Sequence, residues 1–427
     1  MEMNNSKDQV EKAGVEKACM LNPLFEEAIG LTRGLFFDPS KTAALPKQSD
    51  EINCQIKTHQ DAVDAANKAL ETIGDPYTYV SSREKRAELE KGTFEDSPYV
   101  GIGLHILRPK ERDKPATNSE NSVVEAVFPG GPADKAGLKP GDIIKSIDGK
   151  STNGLTRPQI WDLIDGKENT KALLKVDRDG KMLDLSPIRS KVEEPAIISQ
   201  VVDNDVLYIK IRDFMKGNVE VDIRQALENH PKASALIIDL RNNRGGRLDE
   251  LLETVPLFMQ SGTLYYKDEA DTDSTETRIS TGRVELRDND IREITPSGDT
   301  IITERNPNLT GEKPIVILAN GRSASASEMF IGALSDNNRA KVVGETTFGK
   351  GIGQSDLPLP DGALLTVTIG SYRTPSGRWP GDANKNRFGI LPDIEVKQDP
   401  RYVPLSSADK QFQKALETVR AMAKPNP

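Results

Sequence analysis

The sequence predicts a multidomain α/β fold, and three observations carry that expectation. First, apolar runs alternate with helical patterns over 193–400: "DVLYIKI" (Asp205 to Ile211), "SALIIDL" (Ser234 to Leu240) and "PIVILAN" (Pro314 to Asn320). Runs that are apolar throughout suit parallel strands buried on both faces and connected by helices. Second, residues 97–192 hold short strands cut by Gly/Pro turns, the texture of a compact β-rich module. Third, residues 1–96 read as mostly helical.

Each element has a local reason. In "HQDAVDAANKALETIGDPYTY", Ala62, Val63, Ala66, Leu70 and Ile73 share one helical face, and Gly74 then Pro76 stop the helix. A looser apolar pattern at 17–37 runs through Leu24, Ile29, Leu31 and Leu35. "YVGIGLHIL", from Tyr99, alternates as a strand and carries two glycines, and "RPQIWDLIDG" reads as the module's helix. After Asn320 come a helix, "SEMFIGALSDN", and a strand, "AKVVG". Residues 267–312 interrupt the core with an acidic insertion, "KDEADTDSTETR", and short strand-like pieces such as "RVELR". The tail, 401–427, is an amphipathic helix with Phe412, Leu416, Val419 and Ala423 on one stripe.

Composition narrows the function. With 36% hydrophobic and 29% charged residues the chain can bury substantial cores. A net charge of −9 and only 5% aromatics argue against nucleic acid as a partner, which calls for a basic face with stacking rings. His59, His105, His230, Cys19 and Cys54 are scattered without ligand spacing, so no metal site is expected. No histidine falls near the serine cluster or after it, which weakens a histidine triad. Cys19 and Cys54 either pair in an oxidising compartment or remain free thiols. No apolar run is long enough to cross a membrane, and "MEMNNSKDQVEKAG" lacks the apolar core of a secretory signal. The chain is expected to be cytosolic or a mature form whose signal has been removed.

The chemistry centres on "NGRSASASEMF" (Asn320 to Phe330), with serines at 323, 325 and 327. Ser325-x-x-Glu328 before an apolar run is a capping-box pattern: the Ser325 hydroxyl would take a helix amide and Glu328 would reach back. The same position, a strand-to-helix junction, also suits a nucleophile, because free amides and the helix dipole favour a developing oxyanion. A base is available in "GETTFGKGIGQ" (Gly344 to Gln354), where Lys350 lies between two glycines and Gln354 follows four residues on. A lysine titrates near about 10.4, so it acts as a base only where burial or a neighbouring cation lowers that value. Upstream, "DLRNNRGG" (Asp239 to Gly246) puts paired glycines at a strand end, where a backbone amide can approach a ligand.

Together these segments resemble the carboxyl-terminal processing protease family (S41), serine peptidases that use a Ser–Lys dyad. The matching stretches, in family order over about 60–396, are "GIGLHI", "GGPADKAGLKPGDIIKSIDG", "DLRNNRGG", "SASASE", "GETTFGKGIGQ", "YRTPSGR" and "GILPDIEV". The resemblance implies Ser325 as nucleophile, Lys350 as base 25 residues later, and Gln354 as accessory residue. It implies an oxyanion hole from the amide of Ala326 and that of Gly245 or Gly246. The module at 97–192 resembles a PDZ domain, which binds a peptide as an added strand and captures its terminal carboxylate in a glycine-rich loop. Tyr99, Val100, Gly101, Ile102, Gly103 and Leu104 are the candidate loop.

The implied partners are protein or peptide substrates with accessible C-termini, with no cofactor, acting in the periplasm or another extracytoplasmic compartment. The helical region 1–96 is a candidate for homo-oligomerisation or for binding an adaptor protein. Two positions depart from the family pattern: Arg244 and Arg322 stand where smaller or uncharged residues are usual. They would depress the lysine pKa, recognise an acidic substrate segment, or simply face solvent. The competing expectation is a catalytically silent PDZ scaffold on a protease-like core.

Overall fold

The computed structural model describes residues 20–46, 50–86, 99–106, 122–270, 279–288, 290–295, 298–304, 306–398, 402 and 404–423. Cys19 and part of the acidic stretch, 271–278, lie outside the described residues. The chain divides into two compact units, one of 1–89, 269–279 and 354–370, the other of 90–268, 280–353 and 371–427.

The first unit is built on two helices, Pro23–Leu35 and His59–Leu70. Asn22 caps the former and Pro23 opens it; Thr58 and Asp61 form a full capping box on the latter. Ala62, Val63, Ala66, Leu70 and Ile73 are buried with Leu24 and Ile29 against Leu365 and Val367, and Gly74 ends the helix with φ 75°. Leu35, on the expected apolar pattern, is exposed. In this unit Tyr79–Ser81 pairs antiparallel with residues 364–366.

The second unit carries a six-stranded sheet whose order along the sheet follows the chain: β1 (Ile197–Val202), β2 (Val206–Ile211), β3 (Ala235–Asp239), β4 (Ile315–Ala319), β5 (Lys341–Gly344) and β6 (Ile394–Glu395). β1 is antiparallel to β2, and every later pair is parallel. The apolar runs are explained by alternation onto two covered faces. One face buries Leu207, Ile209, Leu236, Ile238, Ile315, Ile317 and Val342 with residues of α1 (Val219–Asn229), α2 (Leu248–Thr254) and α3 (Ala326–Asp336). The other buries Val206, Tyr208, Ala235, Ile237, Val316, Leu318 and Val343 under Phe412, Ala415 and Val419 of α4 (Lys410–Ala423). Ala423, at the end of the predicted stripe, is exposed.

The interrupting segment forms an antiparallel meander, Ile279–Leu286, Asp290–Thr295 and Gly298–Glu304. The β-rich module has its own core of Ile102, Leu104, Ile106, Ile144, Ile147, Ile160, Ile164 and Val176. Its strands pair antiparallel, Tyr99–Gly101 with Ser190–Val192 and Leu104–Ile106 with Val124–Val127, and its helix is Arg157–Ile164.

Candidate active site

In a parallel sheet every strand delivers its following loop to the same edge, the carboxyl end, where ligands bind in open α/β folds. β3, β4 and β5 are neighbours. The loops that leave them carry Gly245 and Gly246, Ser325, and Lys350 respectively. Three motifs far apart in sequence therefore meet at one edge because their strands are adjacent and parallel.

The three serines have different fates. Ser323 Oγ donates to the Leu240 carbonyl at 2.8 Å and accepts from Asn320 N–H. Ser327 Oγ donates to the Asn243 carbonyl at 3.0 Å. Both fasten the α3 start to the loop after β3. Ser325 stands between them at φ 56°, ψ −121°, a conformation that is sparsely populated without glycine. Its side chain faces the Glu328 amide as in a capping box but makes no cap hydrogen bond of normal geometry. The reciprocal half of the box is made, with Ser325 N–H donating to Glu328 Oε2 at 2.9 Å.

Glu328 does more than cap. Its buried carboxylate also accepts from Thr347 Oγ1, Gly349 N–H at 2.7 Å and Lys350 N–H at 2.8 Å. Burial raises its pKa, against the pull of these hydrogen bonds. Sequence reading assigned Glu328 only to the helix start, because its contacts with 347–350 are long-range. The Lys350 backbone is pinned further. Gly349 has φ 91°, and a Cβ there would lie 2.9 Å from Arg387 Cα; a Cβ at Gly351 would meet Trp379 and Pro380 at 2.9 Å. The lysine itself is half-buried.

Gly245 and Gly246 separate by their surroundings. A Cβ on Gly245, at φ 90°, would lie 2.6 Å from the Ala324 carbonyl and 2.8 Å from both Ser325 Cβ and Ala326 N. Gly246 instead packs on the Phe214 backbone, which its strand-like bridge holds. Gly245 is thus the glycine beside Ser325, although its own N–H donates to Asn243 Oδ1 at 2.8 Å. Arg244 and Arg322 are both exposed. Gln354 belongs to the first unit, where its Nε2 donates to Thr368 Oγ1 at 3.3 Å, and Thr368 in turn donates to Asp75 at 2.6 Å.

A node that sequence reading missed lies behind the loop after β3. Arg241 is buried and pairs with both Asp239 oxygens and with Asp409 at 2.8 and 3.0 Å, joining the end of β3 to the start of α4. Burial works against the Asp239 charge, but Arg241 outweighs it and holds the carboxyl below its usual range. Nothing local in sequence announces a pair so far apart.

In the glycine-rich loop of the module, Ile102 and Leu104 are core residues while Val100 is half-buried. Gly103 takes φ 76°, and its carbonyl accepts from Phe128 N–H.

Comparison with known proteins identifies the family. Residues 205–396 match the model of peptidase family S41, and residues 123–178 match a PDZ domain. A carboxyl-terminal-processing protease of Picosynechococcus is 30% identical over 85% of this chain and 80% of its own length. The chain belongs to the carboxyl-terminal processing protease family. Its Synechocystis relative is likewise 30% identical, over 85% of this chain and 78% of the relative. Among solved structures, a photosystem II D1 C-terminal processing protease superposes with a TM-score of 0.51 and 25% identity, covering 94% of this chain and 97% of that one. The chain is accordingly a PDZ-containing serine peptidase with an α/β core, acting on peptides or proteins. In this family member Cys54 is disulfide-bonded. Among the described residues no helix is long and apolar enough to cross a membrane.

Proposed function

We propose that this peptidase cleaves by a dyad of Ser325 and Lys350 and recognises the C-terminal tails of its substrates through the module at 97–192. The observation that carries the reading is the contrast among three hydroxyls: those of Ser323 and Ser327 are committed to backbone carbonyls, and that of Ser325 is not.

Neutral Lys350 takes the proton from Ser325 Oγ, which attacks the scissile carbonyl. The oxyanion that forms is met by the Ala326 N–H, at the first position of α3, with Gly245 alongside. Serving the oxyanion requires the Gly245 amide to leave Asn243. Protonated Lys350 then gives its proton to the leaving amine, and water hydrolyses the acyl-enzyme. Gln354, four residues beyond the lysine, has the accessory role that family resemblance implies. We place the activity outside the cytoplasm, in the periplasm or an equivalent lumen, and the disulfide-bonded Cys54 supports an oxidising compartment.

The test is turnover of an unstructured protein such as casein. Ser325→Ala and Lys350→Ala should each abolish cleavage while the thermal unfolding midpoint stays near that of the native chain. Full activity in either variant sinks the dyad.

A further inference from the structure

The glycine-rich loop of the PDZ module is not open. Tyr99 is its first residue, and its ring lies along the strand over Gly101: a Cβ built on Gly101 would lie 2.4 Å from Tyr99 Cε2 and 2.9 Å from Cδ2. The ring also meets Trp161, on the helix that flanks the loop, edge to face at 6.3 Å. The Tyr99 hydroxyl oxygen is buried and has no hydrogen-bond partner among the described residues.

The surroundings of that oxygen identify the space it fills. Burial pushes the phenol up to about 12, the Asp165 charge adds to this, and Arg212 and the N–H groups of Gly103 and Leu104 oppose it. The Gly103 and Leu104 amides act on the phenol in the sense of donors, yet its oxygen has no hydrogen bond of normal geometry among the described residues. They are amides of the loop proposed to receive a terminal carboxylate. Because the phenol oxygen is closed to water, a carboxylate cannot sit beside it.

We propose that Tyr99 is a displaceable plug, its ring occupying the place that a substrate's terminal carboxylate must enter. The inference rests on the reading that this module captures C-terminal tails. The plug is held by ring packing but is poorly paired at its polar end. A carboxylate that satisfies the loop amides can replace it, whereas an uncharged chain end has less to offer. Tail affinity is then lowered by the fraction of time the loop is closed.

The test uses the full chain carrying Ser325→Ala, so that peptide is not consumed, and a fluorescein-labelled decapeptide with an apolar last residue. The peptide is titrated with a free carboxylate and as its C-terminal amide. Tyr99→Ala should tighten binding of the carboxylate form by about tenfold if the loop is open a tenth of the time. Tyr99→Phe, which keeps the ring and removes an unpaired buried hydroxyl, should weaken it a few-fold. In the same chain with 3-fluorotyrosine at position 99 and no other change, saturating carboxylate peptide should shift the fluorine signal and the amide should not. Carboxylate-dependent binding that Tyr99→Ala leaves unchanged or weakens, or a fluorine signal unmoved at saturation, overturns the plug. Binding that ignores the carboxylate in every variant removes the tail-capture reading itself.

Discussion

Ser325 and Lys350 donate their backbone N–H groups to the same oxygen, Glu328 Oε2, at 2.9 and 2.8 Å. One buried carboxylate thus sets the relative position of the α3 start and the loop after β5. Glu328→Gln keeps the size of the side chain and halves its accepting oxygens. It then cannot satisfy the four donors, and the backbone of 347–350 must shift. A displacement of about 1 Å in a catalytic arrangement can cost on the order of 10²-fold in rate. We expect kcat to fall by that order, with KM changing little and stability lowered by about 1–3 kcal/mol. Retention of kcat in Glu328→Gln would show that the shared carboxylate does not govern the site.

The flanking serines should behave in the opposite way to Ser325. Ser323→Ala and Ser327→Ala each remove a hydroxyl bonded to a buried carbonyl. Each should lose about 1–3 kcal/mol of stability and keep much of its activity. Replacing Ser325 removes no such bond, and its positive φ favours glycine. Ser325→Gly should therefore unfold at a higher temperature than Ser325→Ala, by an amount equivalent to about 1 kcal/mol. Thermal unfolding of the four variants beside casein turnover checks both halves.

How much of this was legible in the sequence depends on the range of the interaction. The β2, β3 and β4 strands could be read because burial on both faces leaves an unbroken apolar run. The helix at 59–70 could be read because its cap and its stripe are both local. The S-x-x-E pattern marks the helix start, and the Ser325 N–H to Glu328 half of the box is a hydrogen bond of 2.9 Å. At Ser325, with φ 56°, the hydroxyl faces the Glu328 amide without a cap hydrogen bond of normal geometry. The reach of Glu328 to Gly349 and the Arg241–Asp409 pair left no local signal. Each depends on where the chain returns in three dimensions. The choice between Gly245 and Gly246 likewise needed the backbone, since both fit a glycine pair equally well as letters.

That choice yields a sharp prediction. At Gly245 an added methyl would lie within 2.8 Å of Ala324, Ser325 and Ala326 backbone or Cβ atoms, and φ is 90°. Those neighbours cannot yield without moving Ser325, so under the proposed dyad Gly245→Ala should abolish most turnover and lower the unfolding midpoint. Gly30, exposed in the helix Pro23–Leu35, has nothing within 4 Å of an added Cβ. Gly30→Ala should stabilise by about 0.5–1 kcal/mol. An active Gly245→Ala would place the oxyanion contact elsewhere.

The Arg241 node predicts how acid acts on the fold. Arg241 is the counter-charge that keeps buried Asp239 ionised, and it bonds Asp409, whose carboxylate also accepts from Phe412 N–H at the start of α4. Asp239 has a depressed folded pKa. Its contribution to stability is therefore present above the unfolded value, about 3.9, and is lost as pH falls through the lower folded value. Arg241→Met leaves two buried carboxylates without their shared cation, a change that typically costs about 3–5 kcal/mol. Burial then acts unopposed by Arg241 and raises the Asp239 pKa, so acid unfolding should begin at a higher pH than in the native chain. Asp409→Asn keeps an acceptor for the Phe412 amide and leaves Asp239 with its partner, so its loss should be smaller. Urea unfolding across a pH series separates the outcomes. An Arg241→Met chain with native stability and an unshifted acid limb would mean that α4 is held by its apolar face alone.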